Sequence, residues 1–212
     1  MKRQDRTELL DDPSLPEELV ATVYRDLART HRWLGNTAKI LALLRQRGEV
    51  VRSVLDIGCG HGALLAVIRR ELDVDVVGFD LRRAPASVPV RILTGNALVD
   101  PLPQADVALA VCLVHHLGEE QIVALVRNVS RSCKRLIVLD LVRHRLPLAL
   151  FRVFAPPLLH RVNVADGLTS IRRAYTPEEL ARIVGRALHG TRARVVQSVA
   201  PGYTRQVLDI RW

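Results

Sequence analysis

The chain has 212 residues, 49% of them hydrophobic and 25% charged, an ordinary globular balance that suits one medium-sized domain with a core of its own. No stretch is long and charge-free enough to span a bilayer, and the N-terminus "MKRQDRTELLDDP" lacks the apolar centre of a signal peptide. The formal charge of +9 is carried by arginines spread along the chain, the only lysines being Lys2, Lys39 and Lys134, and with aromatics at 4% this argues for a basic surface rather than a stacking platform for nucleic acid.

Two helices are expected first, forming a cap over residues 1–48. "SLPEELVATVYRDLART" has Ser14 as its N-cap, with Leu19, Val23 and Leu27 at helical spacing; a second helix runs from about Thr37 to Arg47 and stops at Gly48. The pattern then changes to short apolar runs separated by helices. "VRSVLDIG", "VDVVGFD", "VRILTGNA", "ADVALAVCLV" and "KRLIVLDLV" read as buried strands, with helices over "GALLAVIRREL" and "EEQIVALVRNVSRSC". Strands of this kind, alternating with helices, imply a doubly wound, mostly parallel α/β sheet over 49–143. The segment 144–176, which contains "LPLALFRVFAPPLL", fits neither strand nor crossover helix; it is a helix packed on the core or a lid over an apolar substrate. Over 177–212 a helix with Thr176 as N-cap and Glu178 and Glu179 in its first turn precedes "ARVVQSVA" and "TRQVLDIRW". The short Pro-Gly turn between those two runs requires antiparallel pairing, giving a seven-stranded sheet with an antiparallel last strand.

The stretch "VLDIGCGHG", Val54 to Gly62, has Gly58, Gly60 and Ala63 in the spacing of a dinucleotide-binding turn, and Asp80 ends the next strand where a ribose-binding acid belongs. Asp56 separates two cofactor classes. A pyrophosphate at the helix N-terminus would be repelled by it, whereas S-adenosylmethionine brings an ammonium and a sulfonium that a carboxylate favours. The loop amides can still receive that ligand's own carboxylate.

"VLDIGCGHG" resembles the first motif of the class I S-adenosylmethionine-dependent methyltransferases, and the resemblance extends over roughly 51–212. It implies a Rossmann-like fold ending in a reversed strand, with S-adenosylmethionine held by Asp56, Gly58, Cys59, Gly60, Gly62, Asp80, Leu81, Asn96, Ala97 and Cys112. Asp80 would bind both ribose hydroxyls. Asn96 of "TGNA" stands where the family often has an acid facing the adenine amino group. "ADVALAVCLVHHL" is similar to the family's fourth motif but is not the Asn-Pro-Pro-Tyr type, which points away from DNA-adenine and glutamine methylation. "LVHHL", "LARTHRWLGN" and "SIRRAYTPEEL" look like stretches of bacterial quinone- and polyketide-type methyltransferases. The implied reaction is methylation of oxygen or carbon on a small apolar or aromatic acceptor.

His115 and His116 are the candidate bases; on a strand end they would point to opposite sides, so that at most one reaches the acceptor. Arg172, Arg173 and Tyr175 are candidate acceptor-binding residues, the arginines as partners of a carboxylate or phenolate. No acid–histidine cluster stands at close sequence spacing, so no metal site is expected. Cys59, Cys112 and Cys133 show no metal-ligand spacing or even pairing, which fits a reducing cytoplasm. A nucleic-acid methyltransferase, a dinucleotide oxidoreductase and a cofactor-binding protein without catalysis are the alternatives.

Overall fold

The short apolar runs become the strands of one sheet. The protein is represented by a computed structural model that describes residues 1–4, 6, 8–11, 15–46, 50–85 and 87–212. The strands are β1 (Ser53–Ile57), β2 (Asp75–Asp80), β3 (Ile92–Thr94), β4 (Ala105–Val111), β5 (Cys133–Asp140), β6 (Arg194–Val199) and β7 (Gln206–Arg211), in spatial order β3-β2-β1-β4-β5-β7-β6. The first five are parallel, and β7 enters antiparallel between β5 and β6. This is the expected doubly wound sheet with one reversed strand.

The helices are α1 (Glu17–Trp33), α2 (Asn36–Leu44), α3 (Ala63–Leu72), α4 (Glu119–Val129), α5 (Arg145–Phe154), α6 (Arg161–Arg173) and α7 (Pro177–Ala187). Side chains alternate across a strand, so each strand feeds two cores. Leu55, Ala108, Leu136, Val138 and Leu208 meet α4 and α7 on one face. Val54, Val107, Leu109, Ile137 and Val207 meet α2 and α3 on the other. The Ser14 cap and the Gly48 stop lie outside the described residues; α1 begins at Glu17 after Pro16, and α2 ends at Leu44. At α7 the expected cap is present. The Thr176 N–H donates to Glu179 Oε2 at 2.9 Å and the Glu179 N–H to Thr176 Oγ1 at 3.3 Å.

One ion pair is buried within the α2/α3 face. Arg135 donates from Nε and Nη2 to the two oxygens of Asp209, each at 2.7 Å, and from Nη1 to the Leu43 carbonyl at 3.3 Å. Burial alone would raise the Asp209 carboxyl pKa, but Arg135 and Arg211 hold it below the usual carboxylate range. A depressed acid stabilises the fold above its unfolded pKa, so this contribution is present at neutral pH and lost on acidification. Asp209→Ala should cost about 3–5 kcal/mol because it leaves the guanidinium buried without its partner. An Arg135→Met/Asp209→Leu pair should recover most of that loss, as read by urea denaturation.

The segment 144–176 folds as two helices, α5 and α6, broken near Pro156 and Pro157. The outer face of α5 leaves Leu150, Val153 and Phe154 exposed. α6 instead turns inward over the carboxyl ends of the strands, where α1 and the N-terminal segment also lie. Because β1 and β4 wind in opposite directions from the centre, the crevice of such a sheet opens at those same ends.

Candidate active site

Strand β1 hands over to α3 through the glycine loop. The Gly58 N–H donates to the Phe79 carbonyl at 2.8 Å, which binds the loop to β2. Gly60 has φ +53°, and a Cβ built there would lie 2.5 Å from the Tyr24 ring, so only glycine lets α1 rest on the loop. The Tyr24 and His61 rings are 4.2 Å apart on the same contact. Asp80 is fixed at the end of β2: Oδ2 accepts the Gly60 N–H at 2.8 Å and Oδ1 the Arg82 N–H at 2.9 Å. Each oxygen retains acceptor capacity for a hydroxyl. Asp56 is buried beneath the loop, and burial, together with the charge of Asp80, raises its pKa to about 8. A carboxyl held this way keeps its proton near neutral pH and gives it up beside a ligand cation.

From this loop a cleft of about 860 Å³ runs between the sheet, α1 and α6. Asp56, Gly58, Cys59, Gly60 and Asp80 line one end. Leu81, Asn96, Ala97 and Cys112 line the cleft as well. The Asn96 side-chain oxygen accepts the Leu98 N–H at 3.0 Å, so it is partly committed to its own turn. Burial raises the thiol pKa values of Cys59 and Cys112. Gly62 is not among the lining residues; it is the N-cap of α3, and a Cβ there would lie 2.4 Å from Val90 Cγ2.

The two histidines do not sit on a strand end. β4 stops at Val111, Cys112 takes φ +52°, and Val114–His116 form a single 3₁₀ turn. The expected opposite orientation of the pair is therefore corrected: the rings are 4.2 Å apart, centroid to centroid, and both line the cleft. His115 is fixed from the sheet. Its Nδ1 is 2.6 Å from Asp140 Oδ1 at the end of β5, and its backbone N–H donates to Asp140 Oδ2 at 3.1 Å. Glu8, from the N-terminal segment, faces both rings, with Oε1 3.6 Å from His115 Nε2 and Oε2 3.8 Å from His116 Nε2. The Ser170 hydroxyl donates to Glu8 Oε1 at 2.7 Å. Burial disfavours the charged imidazole of His115, but the charges and hydrogen bonds of Asp140 and Glu8 outweigh it and raise its pKa to about 9.

Of the remaining candidates, Arg173 lines the cleft and donates from Nη2 to the His116 carbonyl at 3.2 Å. Arg172 does not line it; its Nη1 donates to the Leu168 carbonyl at 3.3 Å. Tyr175 is buried away from the cleft, with its hydroxyl donating to the Leu117 carbonyl at 2.7 Å and the Arg3 guanidinium 4.5 Å above its ring. The absence of acid–histidine spacing in the sequence concealed Glu8, Asp140 and Ser170. Asp140 ends an apolar strand just as Asp80 does, and that position was the one available signal. Glu8 carried none, because the segment reaches the site only through tertiary bonds such as Leu9 N–H and Leu10 N–H to Asp166, at 2.7 and 2.9 Å.

Residues 54–135 match a family described as a methyltransferase domain. The indolepyruvate C-methyltransferase of Streptomyces griseus is 28% identical over 131 residues, which are 52% of this chain and 39% of that protein. The chain thus matches well under half the length of this relative. Among solved structures, the plantazolicin methyltransferase in complex with SAH superposes with a TM-score of 0.70 at 14% identity, over 95% of this chain and 91% of that one. Human N-acetylserotonin methyltransferase in complex with SAM superposes with a TM-score of 0.61 at 18% identity, over 98% and 63%. At such identities the structures speak for the fold, and the sequence match speaks for the central domain. The chain therefore has the fold of these methyltransferases, and its residues 54–135 match a methyltransferase domain.

Proposed function

We propose that the chain transfers a methyl group from S-adenosylmethionine to oxygen or carbon of a small, largely apolar or aromatic acceptor, and that it does so in the cytoplasm, where its three unpaired cysteines stay reduced. One observation carries the reading: a single cleft joins the Asp56–Asp80 end to the Glu8–His115–His116 cluster. S-adenosylmethionine, when bound, supplies an electrophilic methyl group together with its own leaving group. The chain's part is to bind, align and exclude water. Asp80 takes the ribose hydroxyls, Asp56 the cationic amino-acid end, and Leu81, Asn96 and Ala97 the adenine. At the other end the acceptor's reacting group lies against the Glu8–histidine cluster, which activates it. The relative that methylates a carbon of indolepyruvate supports an aromatic acceptor, and the relatives lend no support to RNA.

In this reading α1 and the 144–176 segment enclose the acceptor. Phe151 of α5 lines the cleft, and a Cβ built on Gly167 would lie 2.4 Å from its ring. Gly167→Ala should push Phe151 into the acceptor space, raising the acceptor KM at least about fivefold while leaving the cofactor Kd unchanged; equal loss of both would remove the lid from the reading. No described helix is long and apolar enough to cross a membrane.

Calorimetry tests the cofactor assignment. S-adenosylmethionine and its demethylated product should bind and NAD should not. Asp80→Ala should weaken binding by about 1–3 kcal/mol through the lost hydroxyl bonds, and unchanged affinity would remove Asp80 from the site.

A further inference from the structure

The Glu8–His115–His116 cluster is also a set of metal-ligating side chains. Ligand atoms, one from each of Glu8, His115 and His116, brought together from the N-terminal segment and the turn after β4, lie within 4.8 Å of one another. Glu8 Oε1 stands 3.6 Å from His115 Nε2 and Glu8 Oε2 3.8 Å from His116 Nε2. Ligand atoms around one ion with bonds of about 2.0–2.2 Å are separated by roughly 3–3.6 Å, so side-chain rotation that closes the cluster by up to about 1–2 Å would seat an ion.

The outer partners fit as well. The buried carboxylate of Asp140 is 2.6 Å from His115 Nδ1, which directs the Nε2 lone pair toward Glu8. The Ser170 hydroxyl fixes a Glu8 oxygen at 2.7 Å. A carboxylate behind a ligating histidine and a hydrogen bond on a ligating carboxylate are the usual supports of a metal centre.

We propose that Glu8, His115 and His116 bind one divalent transition-metal ion, through Glu8 Oε and the two Nε2 atoms. Two imidazoles and one carboxylate suit zinc, iron, cobalt or manganese better than magnesium or calcium, which prefer all-oxygen sites. Three ligands leave coordination positions open, and both histidines face the cleft. If the methyl-transfer reading holds, on which this step rests, the ion anchors the acceptor. A metal–oxygen bond would form as the O–H bond of a phenol or enol acceptor breaks, its proton leaving to water; for a 2-oxo acid that O–H belongs to its enol tautomer. The nucleophile is then anionic before methyl transfer, and neither histidine acts as a base.

The test uses the full chain, stripped with EDTA and titrated with Co2+ alone, followed by visible absorption and calorimetry. One Co2+ per chain is expected, with d–d bands of low symmetry. Glu8→Gln and His116→Ala should each weaken binding at least tenfold, and Asp140→Asn by about 10–100-fold, with circular dichroism confirming the fold. Asp80→Ala should leave Co2+ binding unchanged. Catechol or a 2-oxo acid added as a probe should shift the bands. Failure to bind Co2+, Zn2+, Mn2+ or Fe2+, or binding indifferent to Glu8→Gln and His116→Ala, overturns the site; bands unmoved by the probes overturn the anchoring role. S-adenosylmethionine binding measured on the same samples separates the two readings. Metal without cofactor defeats methyl transfer alone, and cofactor without metal defeats the ion alone.

Discussion

Asp56→Asn should make the ligand-free protein more stable above pH 8 while weakening its hold on the cofactor. The carboxyl is buried under the glycine loop, and burial, together with the charge of Asp80, raises its pKa to about 8. An acid whose folded pKa exceeds its unfolded value binds its proton more tightly in the fold. Its stabilising contribution is therefore complete below about pH 4, and is lost as pH climbs toward 8, at up to about 1.4 kcal/mol per unit. The amide has nearly the same shape and no such loss. Wild type and variant should thus unfold alike near pH 4 and diverge by several kcal/mol at pH 8.5 in thermal or urea melts; a variant less stable at every pH would defeat the argument. A cationic ligand end beside Asp56 should draw the proton off. At pH 6.5, S-adenosylmethionine binding should release about one proton from the wild type and none from the variant, measured by calorimetry in buffers of different ionisation heat. The site keeps a group that costs stability when empty because a ligand cation repays it.

This group was legible in the sequence because it sits in a local pattern. Asp56, the glycines and Asp80 lie at fixed offsets from strand ends, and a parallel sheet brings strand ends together whatever the rest of the chain does. The same reasoning anticipated the strand order's reversed member, since "PGY" permits only an antiparallel pair. It failed at the histidines. The alternation expected of a strand does not apply once Cys112 adopts a left-handed backbone and residues 114–116 coil, so both rings turn to one side. It failed equally at Tyr175 and Arg172, where residue type suggested a ligand but the backbone aims the phenol at the Leu117 carbonyl and the guanidinium at its own helix. Glu8 was beyond reach for a different reason. It depends on hydrogen bonds between the N-terminal segment and α6, and no periodicity records bonds between segments so far apart.

His115→Gln is expected to lower kcat by about 10²–10⁴-fold while the cofactor Kd stays within about twofold. His115 is 2% exposed, with Asp140 2.6 Å from Nδ1 and Glu8 3.6 Å from Nε2, and it lines the same cleft as Asp80. Its loss removes the imidazole that lies between the buried carboxylates of Asp140 and Glu8. Stability should therefore fall as well, by about 3–5 kcal/mol, the usual cost of breaking a buried charge pair. A His115→Gln/Asp140→Asn double variant separates the two effects. Neutralising Asp140 should restore much of the stability, because no charge is then stranded behind residue 115, but it should restore none of the turnover. Recovery of both together would show that His115 serves only the fold. Recovery of stability alone would place the acceptor's activation at the histidine cluster, the end of the cleft that the glycine loop does not determine.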